Sequence, residues 1–503
     1  MSLRPEKAEL VVGVVARMGV DTKTLVSTIA RILKEYDYDP IEIKATDAVT
    51  SLSEYKDARS LPAHEKYAVL IDACDSLREK TGAADIMAQL SIAGIIRERT
   101  NSPGKGSLVR RTAYIVNQLK RKEETQLLRS LYGEHYVQIA GHAKAPIRQR
   151  RLAEVIASDH PRKPKASDWD VEAASLIKRD EAEDDRKWGQ RVRDAFPQSD
   201  VIVDASDAKL MLSSLDRFFR ALFGDPRITP TPAEYGMQLA RTASLRSSDL
   251  SRQVGACIMN AHQEVQALGC NEVPKAMGGT YWEGDPGDSR EFQLGKDSND
   301  DRKFEVLDDL LGRLFEAGAI KEQFEDEASL KSFLTSNGNS ISDSQLMDSL
   351  EYGRTVHAEM NAITDAARGG HSVRGGTLYC NTFPCHNCAK HIVAAGLARV
   401  VYLLPYPKSY AEDLFSDSIS VDPERCPDRR VQFEQFVGVL GPMYGRIFEK
   451  TRWKSPDGSV PKFEKSSATF IKRSPAPAYA DAEALIVSDL ASKLEEAGFS
   501  LEV

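Results

Sequence analysis

Of the seven cysteines in this 503-residue chain, Cys385 and Cys388 form the only close pair, within Pro384-Cys385-His386-Asn387-Cys388. Twenty-eight residues before Cys385 stands His357-Ala358-Glu359. Two thiolates and one imidazole suit Zn²⁺, and three protein ligands leave a fourth tetrahedral position for a water whose pKa the metal lowers towards neutrality. Glu359 is then not a ligand. Two residues from the histidine, its carboxylate is placed to take a proton from that water and deliver it to a substrate. A bare C-x-x-C would suit a structural zinc or a redox pair; the His-x-Glu half favours the catalytic reading.

These residues need helices and strands to aim them. The spacing predicts helices over His357 to Arg368 and Cys385 to Ala395, with Pro384 starting the second and the positive helix end favouring the Cys385 thiolate. Strands are expected at Gly255 to Asn260, Glu264 to Gly269, Thr377 to Thr382 and Val400 to Leu404, and a helix at Ala233 to Leu245. Residues 276–350 read as an insertion. Upstream, ELVVGVVA (9–16) is a strand leading through a Gly-containing turn into the helical TKTLVSTIARILKEY. KYAVLI (66–71), Tyr114 to Leu119, Tyr136 to Ile139 and VIVDAS (201–206) read as further strands, with a helix from Ala84 to Arg99; this alternation means a mostly parallel sheet. RITPTP (227–232) cannot continue the preceding helix and reads as a linker. The expected domains are therefore 1–226, 227–455, and a tail of 456–503 with a docking helix.

Composition sets outer limits. With 41% hydrophobic and 28% charged residues and no apolar run long enough to span a bilayer, the chain reads as a soluble protein. The absence of a small-residue cleavage site after the first apolar run points to the cytoplasm. A formal charge of −8 and 7% aromatics disfavour a polynucleotide and favour a mononucleotide. Cys257, Cys270, Cys380 and Cys426 read as small buried residues.

The His-x-Glu and Pro-Cys-x-x-Cys halves match the signature of the zinc deaminases. With Ser247-Ser248-Asp249, Gln253 through Ile258, Asn260, and Thr382 through Lys390, the segment from about 233 to 410 resembles the deoxycytidylate deaminases. The resemblance implies a C-terminal cytidine deaminase-like α/β/α domain with His357, Cys385 and Cys388 on zinc and Glu359 as the proton shuttle. It also implies substrate contacts from Asn271 (sugar 3′-hydroxyl), Ala358 N–H and Thr382 carbonyl (pyrimidine edge) and Tyr406 (sugar face), with Glu272 beside Asn271 and with Arg252 and Lys408 near phosphate. Gly269-Cys270-Asn271-Glu272 departs from the family's Gly-Tyr-Asn-Gly.

The N-terminal domain is similar to nucleotide kinases in Asp72 to Arg78, Tyr114 to Lys120, Arg148 to Arg151 and Arg179-Asp180-Glu181. Its loop from Gly13 to Asp21 sits where a P-loop belongs, with Gly13, Gly19, Lys23 and Thr24 as nucleotide-binding candidates. It is a poor Walker A match: five residues separate the glycines, and Val20-Asp21 replace the Lys-Ser/Thr pair. An N-terminal P-loop-like parallel sheet domain ahead of a deaminase resembles the bacterial anti-phage deoxycytidine nucleotide deaminases. That resemblance implies conversion of dCTP and dCMP to deoxyuridine nucleotides, a homo-oligomer, and restraint of the deaminase through a regulatory nucleotide or a small RNA. The competing readings are a polynucleotide base editor and a nucleotide- or RNA-sensing switch with a vestigial deaminase; Glu359 speaks against the last.

Overall fold

The computed structural model describes residues 9–101, 111–160, 162–181, 183, 186–319, 329, 332–333, 344–347, 349, 351–423, 429–449, 454–455, 457–468 and 479–499. Cys426 and part of the expected insertion lie outside them. Two compact units are present: residues 1–234 with 437–503, and residues 235–436. Among the described residues, no helix is long and apolar enough to cross a membrane.

The first unit is built on β1 (Leu10–Ala16), β2 (Asp39–Lys44), β3 (Thr112–Leu119), β4 (Tyr136–His142) and β5 (Val201–Asp204). They run parallel in the spatial order β5-β4-β1-β3-β2, and the two-residue strand Gly438–Val439 adds antiparallel to β5. Every residue of β1 and β4 is buried, as a central parallel strand covered on both faces requires. Around them stand α1 (Thr22–Glu35), α2 (Ala63–Thr81), α3 (Ile86–Asn101), α4 (Ala145–Ser158), α5 (Asp170–Glu181) and α6 (Ala208–Leu222).

Two sequence expectations fail in this unit. KYAVLI is not a strand but part of α2, whose buried residues Ile71, Cys74, Leu77 and Arg78 recur at helical spacing. Pro62 opens that helix, and Gly82 closes it in the left-handed region at φ 63°. Conversely β2 went unread because DPIEIK offers only Ile41 and Ile43 as alternating apolar residues; all but one of its residues are exposed or half-buried, as an edge strand tolerates.

The 227–232 segment is tied down rather than loose. Thr231 Oγ1 accepts from Glu234 N (3.2 Å) while the Glu234 carboxylate accepts from Thr231 N (2.7 Å), a capping box with Pro232 opening α7 (Pro232–Ser244). The same carboxylate binds Arg217 at 2.8 Å and accepts from Val439 N at 3.0 Å. Residues 437–455, expected in the second domain, therefore belong to the first unit. The C-terminal helix Tyr479–Glu496 is anchored there too: Arg99 bridges Glu9 (2.8 Å) and Glu483 (2.6 Å), Tyr479 Oη donates to Glu9 (2.8 Å), and Leu490 and Leu494 join Leu77, Ile86 and Leu90 in a buried cluster.

The second unit holds β6 (Gly255–Met259), β7 (Val265–Cys270), β8 (Thr377–Thr382), β9 (Arg399–Leu404), β10 (Ile419–Val421) and β11 (Val431–Gln435), in the order β10-β11-β9-β8-β6-β7. The hairpin β6-β7 and the pair β6-β8 are antiparallel; the other pairs are parallel. The expected insertion contains α8 (Ser298–Glu316), and α9 (Ala358–Arg368) and α10 (His386–Ala394) follow. Glycines set the layering. In the hairpin register Gly255 faces Cys270 and Ala256 faces Gly269, so Gly255 and Gly269 project to opposite faces of the sheet. A Cβ on Gly255 would meet Ala240 O of α7 at 2.0 Å, and one on Gly269 would meet Ala358 O of α9 at 2.1 Å. One helix packs on each face.

Candidate metal centre and catalytic cleft

Two helix starts meet at the centre. His357 is the N-cap of α9, its carbonyl accepting from Asn361 N at 2.8 Å. Cys385 is the N-cap of α10, its carbonyl accepting from Ala389 N at 2.9 Å, and Cys388 lies one turn in. Pro384 thus sits one residue ahead of the cap rather than at the first helical position expected for it. Both ligand-bearing segments present the positive ends of their helices to the site, which favours thiolate and carboxylate there.

His357 Nδ1 lies 3.3 Å from Cys385 Sγ and 3.4 Å from Cys388 Sγ, and the three donor atoms lie within 4.8 Å of one another. Bonds of roughly 2.0–2.1 Å to nitrogen and 2.3 Å to sulfur give a tetrahedral edge of about 3.6 Å, so the donor set fits zinc in type and spacing. Hydrogen bonding from Cys388 and then from His357 holds the Cys385 thiol down at about 4, against the effect of burial. In return Cys385 raises His357 to about 9, while Cys388, beside the Cys385 sulfur, is pushed well above the ordinary thiol range. With metal absent, the Cys385 thiol is thus lowered while the His357 ring and the Cys388 thiol are raised.

Glu359 is 4% exposed, in the first turn of α9. Burial, followed by the charge of Cys385, lifts its carboxyl above the usual range, with His357 opposing. It lines the same cleft as His357 and Cys385, a cavity of about 320 Å³. A carboxyl raised towards neutrality beside a metal site has the properties of a proton shuttle.

Asn271, Arg252, Thr382, Tyr406 and Lys408 line this cleft, with the Arg252 guanidinium 5.4 Å from the Tyr406 ring centroid. Asn271 also braces the fold, since its amide donates to Arg252 O (2.8 Å) and accepts from Val254 N (2.7 Å), fixing the wall that carries Arg252. Ala358 is wholly buried at the start of α9 and is not among the residues lining the cleft. Glu272 is not a cleft residue either. Its carboxylate turns away to accept from Ser248 Oγ (2.7 Å), Ser248 N (3.1 Å) and Val273 N (2.9 Å), so it holds the loop before β6. Gly13 lies inside β1 against Tyr136, Gly19 (φ 88°) packs on the Arg148 backbone, Lys23 is exposed, and Thr24 is engaged by Asp21, the cap of α1.

Sequence reading missed one wall of the cleft. Glu291, Asp297, Asn299 and Met347 of the expected insertion line it, as does Arg354, whose Nη1 donates to Ser289 O at 2.9 Å. Asn299 holds this wall by donating to Ser349 O (2.9 Å) and accepting from Tyr352 N (3.2 Å). The one signal in the sequence was the position of Arg354, three residues before a metal ligand.

The contact between β7 and α9 sets where His357 and Glu359 point. Gly269→Ala is expected to force the α9 backbone away, destabilising by about 1–3 kcal/mol or more and lowering zinc content with it. Calorimetric unfolding and metal analysis of the same preparation check this; an unshifted Tm with full zinc would show that the contact is slack.

Residues 230–404 match the family described as "Cytidine and deoxycytidylate deaminase zinc-binding region". Deoxycytidylate deaminase of Enterobacteria phage T2 is 46% identical over 54 residues, 11% of this chain and 29% of its own. The probable deoxycytidylate deaminase of Drosophila melanogaster is 26% identical over 211 residues, 40% of this chain and 78% of its own. The Mus musculus deoxycytidylate deaminase is 26% identical over 170 residues, 34% and 63% respectively. The alignment thus spans less than a third of the phage protein's length and about two thirds of the mouse protein's. The match and the His357, Cys385 and Cys388 geometry agree: residues 230–404 are similar to the zinc-binding region of the cytidine and deoxycytidylate deaminases and bring together a donor set that fits zinc.

Proposed function

We propose that this chain is a hydrolytic deaminase of deoxycytidine nucleotides, dCTP and dCMP, yielding deoxyuridine nucleotides and ammonia. The observation that carries the reading is a buried, raised-pKa Glu359 in one cleft with two of the three zinc-type ligands and with Arg252, Arg354 and Lys408. His357, Cys385 and Cys388 would hold Zn²⁺, which supplies an activated water. Glu359 takes the water proton and passes it to N3 as the oxygen adds to C4, then takes the proton of the new C4 hydroxyl and delivers it to the exocyclic nitrogen as the C4–N4 bond breaks and the C4 carbonyl forms. Tyr406 and Asn271 border the sugar. The cations serve the phosphates: charge-assisted contacts favour them, and the formal charge of −8 disfavours a polymer.

Ammonia release from dCMP, dCTP, CTP and deoxycytidine tests this; turnover of the deoxynucleotides supports it, and no turnover of any of them by zinc-loaded protein overturns it. Arg354→Ala and Lys408→Ala are each expected to raise KM for the nucleotides about tenfold, the scale of one charge-assisted contact, while leaving deoxycytidine kinetics unchanged. Equal effects on nucleotide and nucleoside would remove both from phosphate recognition.

The resemblance to anti-phage deaminases extends the proposal. The P-loop-like N-terminal unit restrains the deaminase and does not transfer phosphoryl groups, because the loop after β1 has no P-loop lysine. Release of that restraint during infection depletes deoxycytidine nucleotides. Phage yield and nucleotide pools in cells expressing the protein test the role.

A further inference from the structure

Arg252 reaches the cleft from residues 252–254, which lie in neither helix nor strand, and its own side chain is exposed. Backbone of this kind moves unless side chains tie it. The Tyr406 ring, 5.4 Å from the guanidinium, is a weak restraint on so long a side chain at an exposed site. What places the guanidinium is therefore the backbone that carries it.

That backbone is gripped from both sides of β6. In the hairpin register Gly255 faces Cys270, so Asn271 stands opposite Val254, one position past the end of the strand. In the register with β8, Ala256 faces Cys380, so Asn381 stands opposite Gly255. Each asparagine closes its side with its amide. Asn271 accepts from Val254 N (2.7 Å) and donates to Arg252 O (2.8 Å). Asn381 accepts from Gly255 N (2.9 Å) and donates to Gln253 O (3.1 Å). The backbone groups of 252, 253, 254 and 255 thus alternate between the two side chains, and neither asparagine fixes the segment alone.

The residue type matters at both places. A carboxamide carries a donor and an acceptor on one short planar group; an ionised carboxylate has no donor, and a hydroxyl has one atom to serve two backbone groups. Two further bonds hold the segment from its N-terminal side: Arg252 N donates to Asp249 Oδ1 (3.2 Å), and Gln253 Nε2 donates to Ser247 O (2.8 Å). Asn271 also lines the cleft, whereas Asn381 is not among the residues lining it. Any effect of Asn381 on a ligand must pass through the backbone it holds.

We infer that Asn381 is a positioning residue for nucleotide recognition: with Asn271 it clamps the backbone of residues 252–255 and so holds Arg252 where its guanidinium meets the phosphate. The inference rests on the reading of this cleft as a deoxycytidine nucleotide site. It gives part of the discrimination between nucleotide and nucleoside to a side chain that touches neither.

Equilibrium binding of the products, dUMP and deoxyuridine, to the zinc-loaded full chain tests the clamp without turnover. Titration calorimetry is expected to show dUMP binding more tightly than deoxyuridine, and Arg252→Ala losing about tenfold for dUMP alone, the scale of one charge-assisted contact. Asn381→Ala should bring most of the same loss, again for dUMP alone. In the Arg252→Ala background Asn381→Ala should add nothing, because two residues that act through one contact are not additive. Should Asn381→Ala fail to fold, Asn381→Ser, which keeps a hydroxyl for one of the two backbone groups, takes its place in the same cycle. A purely structural asparagine predicts equal weakening of dUMP and deoxyuridine, or the same loss with and without the Arg252 side chain. Either result overturns the inference, as does unchanged dUMP binding in Asn381→Ala or a wild type that binds dUMP no tighter than deoxyuridine. Ammonia release from dCMP judges the deaminase reading separately: its absence beside an intact dUMP cycle sinks that reading and leaves the clamp, and its presence beside additive losses does the reverse.

Discussion

Glu359→Gln is expected to keep the zinc and the fold of the second unit and to lose deamination at the upper end of the about 10²–10⁴-fold range of general acid–base catalysis, or beyond it. The amide is isosteric, and the carboxylate is not among the metal-type ligands, so neither packing nor metal retention depends on its charge. On the proposed mechanism, what disappears is the group that moves protons between water, ring nitrogen and leaving ammonia. Replacing this buried side chain by an amide of the same shape should leave the packing around it, and so the stability, little changed. Zinc content and unfolding temperature must therefore stay at wild-type values while turnover collapses. A variant retaining a tenth of wild-type activity would show that the proton shuttle lies elsewhere. In infected cells the same variant should fail to lower dCTP and fail to protect; protection without nucleotide loss would separate any defence role from deamination.

Cys388→Ala is expected to abolish zinc binding as well as turnover, because the remaining imidazole and thiolate cannot close the site. The wild-type centre also makes zinc uptake steeply pH-dependent. With metal absent, His357 is raised to about 9 and the Cys388 thiol is well above its ordinary range, whereas Cys385, near 4, is already a thiolate. Zinc must therefore displace two protons at neutral pH, one from the His357 imidazolium and one from the Cys388 thiol. Apparent affinity should rise with pH, by about a hundredfold per unit up to pH 9 and less steeply above it as His357 becomes neutral. Chelator competition across pH 6 to about 10 measures this slope. A slope of about one proton below pH 9 would mean that Cys388 is already ionised in the metal-free centre.

Much of the candidate centre was legible because its chemistry is local. His357 and Glu359 are two residues apart, Cys385 and Cys388 are one helical turn apart, and each pair sits at the start of a helix whose positive end serves the charges it carries. Such spacing constrains geometry before any tertiary contact forms. The parallel sheet of the first unit was legible for the same reason, since β1 and β4 must be apolar throughout to be buried on both faces. KYAVLI misled because a short apolar run bounded by polar residues carries the same signal for a strand and for one face of a helix. Edge strand β2 carried only two alternating apolar residues, Ile41 and Ile43, too short a signal to stand out.

The donor set of the metal-type centre, the placement of Glu359 beside it and the alternation of strands and helices were determined by the sequence itself, through residue chemistry at fixed short separations. Tertiary structure decided everything that depends on residues distant along the chain. It turned Glu272 away from the cleft to brace Ser248, brought Arg354 and Asn299 to the cleft wall, and joined residues 437–455 to the first unit through Glu234 and β5. It also set Asp180 of α5 on Lys120 after β3 and on Met18 after β1. A side chain's partner across tens or hundreds of residues is chosen by the packing of the elements that carry both, and no local spacing encodes that choice.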